Sequence, residues 1–480
     1  GRVSTYKRCR FLHCPHGIKV PTIFNPVVLS AGVDMTKKTL LALTISAALV
    51  PAFYVSAAET DTTSGATEAA AAQDSSTATK GVRFRSGPQR HARGVAFGRG
   101  HSGHSINVSH ASSAIANIPM DATTSSITLF GELDAGIKLH KTKGKSATVE
   151  LTSGNWYWTS WGIKGVEDIG NGNAVIFTLQ QAFRLNNGES IATNHSTSSS
   201  GGFNNQAFLG LQGHWGRLTF GRQGGLSSGD GDYSMLGGSA IGTGMSVIGD
   251  LQGVFYLTGW QNNSIAYRTQ EWNGLQFTAM YSNGVSSDTD KWSKNSHYYG
   301  LGMTYDVGNF NSNLMYEMED HKGNTTKIDK TNIITAGASY DFGSFTLYGA
   351  YQYTQHATRM PNYNQFPVNA SSGASTSASA TSGASAASSY TKGANQNAAS
   401  ISVATPLWGG NLMLQLNGAK GKIKDDGTKY SAWSVGSAYT YPLSKRTLLY
   451  GGVAYGNAYK ALDGSDLDGY TAVVGMATSF

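Results

Sequence analysis

The sequence predicts an all-β fold, a transmembrane antiparallel β-barrel of 16 strands, and three observations predict it. Apolar and polar residues alternate with period two over the last 354 of 480 residues, which is typical of strands with two unlike faces. Short turns alternate with long polar loops, as they do in membrane barrels. The final alternating segment ends in an aromatic residue, Phe480.

Segment 127–139 illustrates the alternation. Its odd positions are apolar or small, whereas its even positions include Glu132 and Asp134. The same pattern recurs in 309–319 and 411–417. Successive side chains of a strand point to opposite faces, so each of these strands has one apolar and one polar face.

The connections between the predicted strands fall into two classes. The short turns cover 166–172, 271–274, 306–309, 341–344, 406–410 and 442–446. The long polar loops cover 141–154, 186–202, 223–259, 284–296, 320–330, 356–396 and 458–469. Counting strands between these connections gives sixteen, an even number that brings both chain ends to one side of the barrel.

A soluble β-sandwich also alternates, but it would need a large aliphatic core between its sheets. Here the apolar face is rich in Gly, Ala, Tyr and Phe. Aromatic residues near strand ends are consistent with the girdles of a membrane barrel: Trp156, Trp158, Trp161, Trp260, Trp272, Tyr441 and Tyr470. No run of about 18 apolar residues occurs, which excludes a helical membrane protein. Strands in a bilayer must close, and sixteen strands leave an aqueous channel.

The C-terminal segment adds an independent signal. Every second residue from Tyr470 to Phe480 is apolar or weakly polar, with Thr478 the weakest member of the series. This pattern resembles the C-terminal strand signal that the outer-membrane assembly machinery reads.

The formal net charge of +7 does not indicate a nucleic-acid partner once it is located along the chain. Of the 36 basic and 29 acidic residues, 13 and 6 lie in the first 126 residues. The remaining 354 residues, 127–480, therefore hold 23 of each sign. We predict that residues 127–480 form the barrel and that the protein binds no nucleic acid.

The N-terminal quarter is interpreted as processing sequence and tail. Residues 35–58 have the basic, apolar and small-residue regions of a secretory signal peptide, so residues 1–34 are interpreted as an over-extended translation start. Cys9 and Cys14 both lie there, and we expect neither in the mature chain. Residues 59–126 are Ala/Ser-rich and then Arg/His/Gly-rich, which predicts a disordered tail. The alternative is a cationic arm that touches lipopolysaccharide, peptidoglycan or the barrel lumen.

Five segments of the barrel together resemble the general-diffusion porins of the Gram-negative outer membrane, of the trimeric beta-proteobacterial type. These segments are SITLFGELDAGI (126–137), WGIKGVEDIGNG (161–172), FNNQAFLGLQGHWGRLTFGRQ (203–223), QNNSIAYR (261–268) and YPLSKRTLLYG (441–451). The resemblance implies a homotrimer in the outer membrane, in contact with its lipid and lipopolysaccharide and passing small hydrophilic solutes. It also implies that the long third loop, about 223–259 here, folds into the lumen and narrows the pore.

A constriction of this kind selects by size and by the field between loop carboxylates and basic groups on the wall. The candidate loop residues are Asp230, Asp232, Tyr233 and Asp250. The candidate wall residues are the basic Lys164, Arg184, Arg222 and Arg268 together with the acidic Glu132 and Asp134.

Two positions depart from the family pattern. Ser160 and Asn205 stand where such porins often carry arginine, and strict alternation from Leu209 and Leu211 points position 205 outward. The loss of two wall arginines, together with a neutral barrel, predicts weak ion selectivity and leaves its sign open.

We predict no enzymatic activity, no cofactor and no metal site. Residues 225–229 match the G-x-S-x-G pattern of hydrolases, but that motif requires a strand-turn-helix setting and here lies in a predicted loop. The predicted function is passive diffusion through a water-filled channel. The alternatives are a substrate-specific channel, in which Tyr233 would belong to an aromatic track, and an adhesin or structural barrel whose loops or tail bind a partner.

Overall fold

A computed structural model describes residues 117–122, 124–191, 202–241, 254–284, 291–323, 327–358, 391–459 and 468–480. The strands are β1 Ser126–Thr142, β2 Thr148–Ser153, β3 Ser160–Gly170, β4 Asn173–Ala182, β5 Ala207–Gly213, β6 Gly216–Gly224, β7 Trp260–Arg268, β8 Leu275–Asn283, β9 His297–Val307, β10 Phe310–Asp320, β11 Thr331–Asp341, β12 Thr346–Ala357, β13 Ala394–Leu407, β14 Gly410–Ile423, β15 Lys429–Pro442, β16 Thr447–Tyr459 and β17 Gly469–Ser479. A 3₁₀ turn spans Trp292–Lys294. In the part of the chain described here, no helix is long and apolar enough to cross a membrane.

These seventeen segments form a closed antiparallel barrel of sixteen strands, because β2 and β3 share one position in the barrel. β1 pairs with β3 through its first half and with β2 through its second half. The six residues 154–159 interrupt that strand. Elsewhere each strand pairs with the next, and β17 pairs with β1 to close the sheet. The predicted strand number and closure are confirmed.

The two faces of the strands follow the predicted alternation. In β1, Leu129 and Ile137 are more than half exposed, whereas Glu132 and Asp134 are buried. The exposed large side chains of other strands include Leu209, Phe277, Leu301 and Ile401. The apolar face therefore points outward, as required where lipid surrounds a barrel, and the polar face points into the lumen.

The aromatic residues divide between the two faces. Trp161, Trp272, Tyr441 and Tyr470 are more than a third exposed, as expected of interfacial side chains. The girdle interpretation is wrong for Trp260, which is buried and lies with its ring 5.8 Å from the guanidinium carbon of Arg222. It is also wrong for Trp156, which stacks on the buried Tyr450 at 6.3 Å between ring centroids. Alternation does not extend to residue 156 because it lies in the interruption between β2 and β3.

The first predicted long loop is shorter than expected. β1 continues to Thr142 and β2 begins at Thr148, so most of 141–154 is a hairpin extension of the barrel. The predicted C-terminal strand is present as β17. Phe480 continues its pairing beyond the strand end, since its backbone nitrogen donates to the Gly131 carbonyl at 2.9 Å.

The proposed translation start, signal peptide and most of the tail lie outside the described residues. Residues 117–122 of the predicted tail are described, and they pack against the inner wall of the barrel. Ile118 is 3% exposed and lies in an apolar cluster with Ile176 and Phe208. Within this stretch, Ile118 fills an apolar recess of the wall.

Candidate functional site

The described parts of the connection between β6 and β7 lie inside the barrel. These parts, 225–241 and 254–259, hydrogen bond to inward-facing side chains of distant strands. The Ala240 amide donates to Ser402 Oγ of β13 at 2.8 Å. Gln352 of β12 accepts from the Tyr256 amide at 2.6 Å and donates to its carbonyl at 2.9 Å. The loop thus begins and ends at β6 and β7 and reaches β12 and β13 on the opposite side of the barrel.

Glycines on the wall allow the loop tip to approach closely. A Cβ atom added at Gly337 of β11 would lie 2.6 Å from the Gly237 carbonyl oxygen. One added at Gly238 of the loop would lie 2.9 Å from the Cα atom of Gly337. Gly238 itself has a φ of +79°, a conformation that other residues rarely adopt. The close approach of the loop backbone to the wall backbone therefore sets the position of the loop tip.

Glu317 of β10 joins the two ends of the loop. Its Oε1 accepts from the Ser227 amide at 3.1 Å and from the Thr258 hydroxyl at 2.7 Å. The hydroxyl of Tyr298, on β9, donates to the same oxygen at 2.7 Å and accepts from the Leu226 amide at 3.0 Å. A carboxylate bonded in this way, fully buried, fixes the entry and exit of the loop together.

Asp232 of the loop lies between two arginines of the wall. Its Oδ2 is 3.3 Å from Nη1 of Arg217, and both side chains are almost completely buried. Nη1 of Arg268 donates to the Asp232 carbonyl at 2.7 Å, and its guanidinium carbon lies 4.9 Å from the Tyr233 ring centroid. An acidic group of the loop and basic groups of the wall therefore face each other within the lumen.

Arg217 is the residue of this group that our sequence reasoning missed. The outward positions of Leu218 and Phe220 on β6 imply that Arg217 and Thr219 point inward, and they are both buried there. Alternation alone could therefore have found Arg217, in the segment GRLTF.

Asp230 is the second loop carboxylate. Its Oδ1 accepts from the Gly231 amide at 2.8 Å. Burial raises the pKa of Asp230 to about 6, and the neighbouring charge of Asp232 adds to the increase. Glu132 of β1 is close enough to repel Asp230 electrostatically, and its Oε2 has no hydrogen-bond partner among the described residues. Acidic groups therefore accumulate on the β1 side of the loop.

Asp134, also a candidate wall residue, has a structural environment. Its Oδ2 accepts from the backbone amides of Trp156 and Tyr157, the latter at 2.7 Å. Its Oδ1 accepts from the Tyr450 hydroxyl. With three donors on a completely buried carboxylate, Asp134 holds the interruption 154–159 in place.

The remaining basic candidates are dispersed. Lys164 of β3 donates to the Asn117 carbonyl at 2.9 Å and lies 5.6 Å from the Phe130 ring centroid. Arg222 of β6 donates to the Asn204 carbonyl at 2.9 Å. Arg184 lies beyond the end of β4, where its backbone N–H donates to the backbone carbonyl of Glu189 at 2.7 Å. Asp250 lies outside the described residues. The structure thus brings Asp232, Tyr233 and Arg268 into direct contact but not Arg184.

Asn205 does not follow the strict alternation that would point it to the lipid. It lies before β5 begins and is completely buried. Its backbone N–H donates to the Gln180 backbone carbonyl at 3.2 Å. Ser227, the serine of the G-x-S-x-G match, lies in the loop with its hydroxyl 3.2 Å from that of Thr258. No group of three or more potential metal ligands occurs among the residues that the structure describes.

Comparison with known proteins identifies the family. A family model described as Gram-negative porin matches residues 103–460, about three quarters of the chain. The chain belongs to the Gram-negative porin family. An outer membrane porin protein of Bordetella pertussis is 28% identical over 377 residues, which cover 70% of this chain and 89% of the relative. A major outer membrane protein P.IB of Neisseria meningitidis is 26% identical over 201 residues, 41% of this chain and 54% of the relative.

Solved structures agree on the fold of this porin. The anion-selective porin from Comamonas acidovorans matches with a TM-score of 0.52 at 21% identity, covering 74% of this chain and all of that one. OmpF of Salmonella typhi matches with a TM-score of 0.51 at 15% identity, covering 74% and 98%. Family and fold together make this porin a diffusion channel of the Gram-negative outer membrane.

Proposed function

We propose that the porin is a weakly ion-selective, passive homotrimeric channel for small hydrophilic solutes, constricted between the loop residues Asp230 and Asp232 and the wall residues Arg217 and Arg268. The observation that carries this proposal is the Asp232 carboxylate, paired at 3.3 Å with Arg217 inside the lumen. Opposite charges in contact cancel much of each other's long-range field. Weak selectivity follows from that pairing and from the equal numbers of basic and acidic residues in 127–480.

The burial of Tyr233 supports passive diffusion over a substrate-specific track. Its side chain is 1% exposed, its hydroxyl lies 2.9 Å from Thr219 Oγ1, and Arg268 covers its ring. An aromatic track requires rings that a passing solute can touch. Tyr233 is instead buried against the wall, out of reach of a passing solute. The proposed transport involves no catalytic step.

The trimeric assembly is proposed from the family. A trimer form of OmpT from Vibrio cholerae is among the solved structures with this fold, with a TM-score of 0.50 at 12% identity. The exposed apolar faces described above supply surface for neighbouring subunits and for outer-membrane lipid, including lipopolysaccharide.

Planar-bilayer recording tests the proposal. Purified porin should insert with conductance steps in groups of three, and a salt gradient should give a small reversal potential. Replacing Asp230 and Asp232 by Asn removes both loop charges and should shift the reversal potential toward anions. The matched control is Asp341→Asn, at the end of β11 and away from the third loop. Unchanged selectivity in the double variant would contradict the constriction, and block by one solute class would support the substrate-specific channel.

A further inference from the structure

Residues 117–122, immediately before β1, lie in the lumen rather than outside the barrel. Ile118 packs against inward-facing apolar side chains of β3, β4 and β5, namely Val166, Ala174, Ile176 and Phe208. These side chains lie within a few residues of the short turns at 171–172 and 214–215. In membrane barrels short turns mark the periplasmic side, so residues 117–122 occupy the periplasmic half of the channel.

The polar contacts of this segment are made by its backbone carbonyls. Arg217 Nη2 donates to the Ile118 carbonyl, and Lys164 Nζ donates to that of Asn117 at 2.9 Å. Gln212 Nε2 donates to the carbonyls of Pro119 and Ala122 at 3.1 and 2.6 Å. Four neutral backbone carbonyls of this segment thus accept hydrogen bonds from three wall side chains, of which two are cationic.

Arg217 connects this segment to the constriction. The same guanidinium that binds the Ile118 carbonyl through Nη2 lies 3.3 Å from Asp232 through Nη1. Its Nε and Nη2 also donate to Gln212 Oε1, at 3.1 and 2.9 Å. Residues 117–122 therefore lie against the third loop on its periplasmic side, and one buried arginine holds both.

We propose that residues 117–122 are a built-in plug that narrows the channel from the periplasmic side, with Ile118 as its anchor. Withdrawal of the plug would widen the channel on the periplasmic side of the third loop. It would also turn the Lys164 ammonium and one edge of the Arg217 guanidinium toward the aqueous path, which favours anions. This proposal rests on the channel function but not on which residues of the third loop set selectivity.

A charge introduced at the anchor tests the plug in the full-length protein. Ile118→Asp places a carboxylate in the apolar recess, where burial without a partner is unfavourable, so the segment should leave. We expect single-channel conductance to rise roughly two-fold, with a shift toward anions. The matched control is Met120→Asp, which adds the same charge to the same segment at a half-buried position outside the recess cluster. This variant should keep Ile118 docked, so its conductance should stay below that of Ile118→Asp.

The outcomes separate this proposal from the channel function. If the wild-type protein forms no channel, the function itself is wrong. If wild type and Ile118→Asp form channels of equal conductance and selectivity, the plug is wrong while the function stands. The same holds if Met120→Asp raises conductance as much as Ile118→Asp does.

Cysteine reactivity provides a second test that does not require Ile118→Asp to fold. Cys9 and Cys14 are the only cysteines of the chain, so with both replaced by Ser, a single cysteine can be introduced at position 118 or at the exposed Asp121. In a docked plug, Ile118→Cys should react with a charged thiol reagent at least about ten-fold more slowly than Asp121→Cys, because opening must precede reaction. Equal rates would show that residue 118 is not held in the recess and would overturn the proposal.

Discussion

The root and the tip of the third loop are held to the wall by different kinds of contact. We call residues 227–233 the root of the loop. The root is in direct contact with three charged side chains of the wall, Glu317, Arg217 and Arg268. The tip, 237–241, is held by neutral hydroxyl and amide groups, such as Ser402, and by its fit over glycines of the wall. The root therefore depends on electrostatics and the tip on shape. Variants that remove a charged contact should therefore loosen only the root, and variants that disturb the fit over the glycines should displace only the tip.

The largest effect is expected at Arg217. Arg217→Ala leaves Asp232 buried without its ion-pair partner, and breaking such a pair costs about 3–5 kcal/mol. We expect a loosened root, seen as increased open-channel noise and a lower free energy of unfolding in urea. The control is Arg446→Ala, an exposed arginine in the short turn between β15 and β16, which should change neither. Equal effects of both variants would contradict the electrostatic account of the root.

The next largest effect is expected at Gly337, under the tip. A Cβ there would lie 2.6 Å from a loop carbonyl oxygen, so Gly337→Ala should displace the tip at a cost of about 1–3 kcal/mol. Single-channel conductance should change while ion selectivity stays near that of the wild type, because the root charges remain in place. A Cβ at Gly349 on the adjacent β12 would meet no atom within 4 Å, so Gly349→Ala is the matched control. A Gly337→Ala channel identical to that control would show that shape does not position the tip.

A smaller effect is expected from Glu317→Gln, which keeps an oxygen acceptor for Ser227 and Tyr298 but removes its charge. Hydrogen bonds to a charged acceptor are stronger than neutral ones, and we expect a loss of about 1–2 kcal/mol in unfolding free energy. Glu150→Gln, at an exposed position of β2, should be neutral. A Glu317→Gln protein as stable as the wild type would mean that charge contributes nothing to this contact.

The smallest effect is the pH response of Asp230. Burial raises its pKa from 3.8 to about 6, so the folded protein binds more protons than the unfolded one between these values. The contribution of Asp230 to stability therefore falls as pH rises through this window, and its full cost is present above about pH 6. Between pH 7 and pH 5 the reversal potential should move toward anions as the loop loses a negative charge. Asp230→Asn should abolish the part of this change that centres near pH 6. An unaltered response would contradict the assignment of this titration to Asp230.

Most of the fold could be predicted because its signals are local. Alternation needs only neighbouring residues, and turn lengths follow from composition, so β10 and β14 could be placed from 309–319 and 411–417 alone. The interruption 154–159 could not be predicted in this way. It depends on Asp134 meeting Tyr450, a partner 316 positions away in the chain.

The site was predicted less completely for the same reason. Asp232, Tyr233 and Arg268 were identified as candidates, and the structure joins them, but their role in selectivity stays a prediction. Arg217 was overlooked although alternation points it inward. The docking of Ile118 could not be read from a tail whose composition suggests disorder, because its recess is assembled from three separate strands.

A disulfide between the loop tip and the wall tests whether the third loop lies inside the lumen. The Ala240 amide nitrogen lies 2.8 Å from Ser402 Oγ, which places the two backbones within reach of a disulfide. With Cys9 and Cys14 replaced, the double variant Ala240→Cys/Ser402→Cys should oxidise readily and keep the single-channel conductance of its reduced form, since the bond would lock the loop where it already rests. Failure to form the disulfide, or a large drop in conductance when it forms, would contradict a third loop that lies across the lumen.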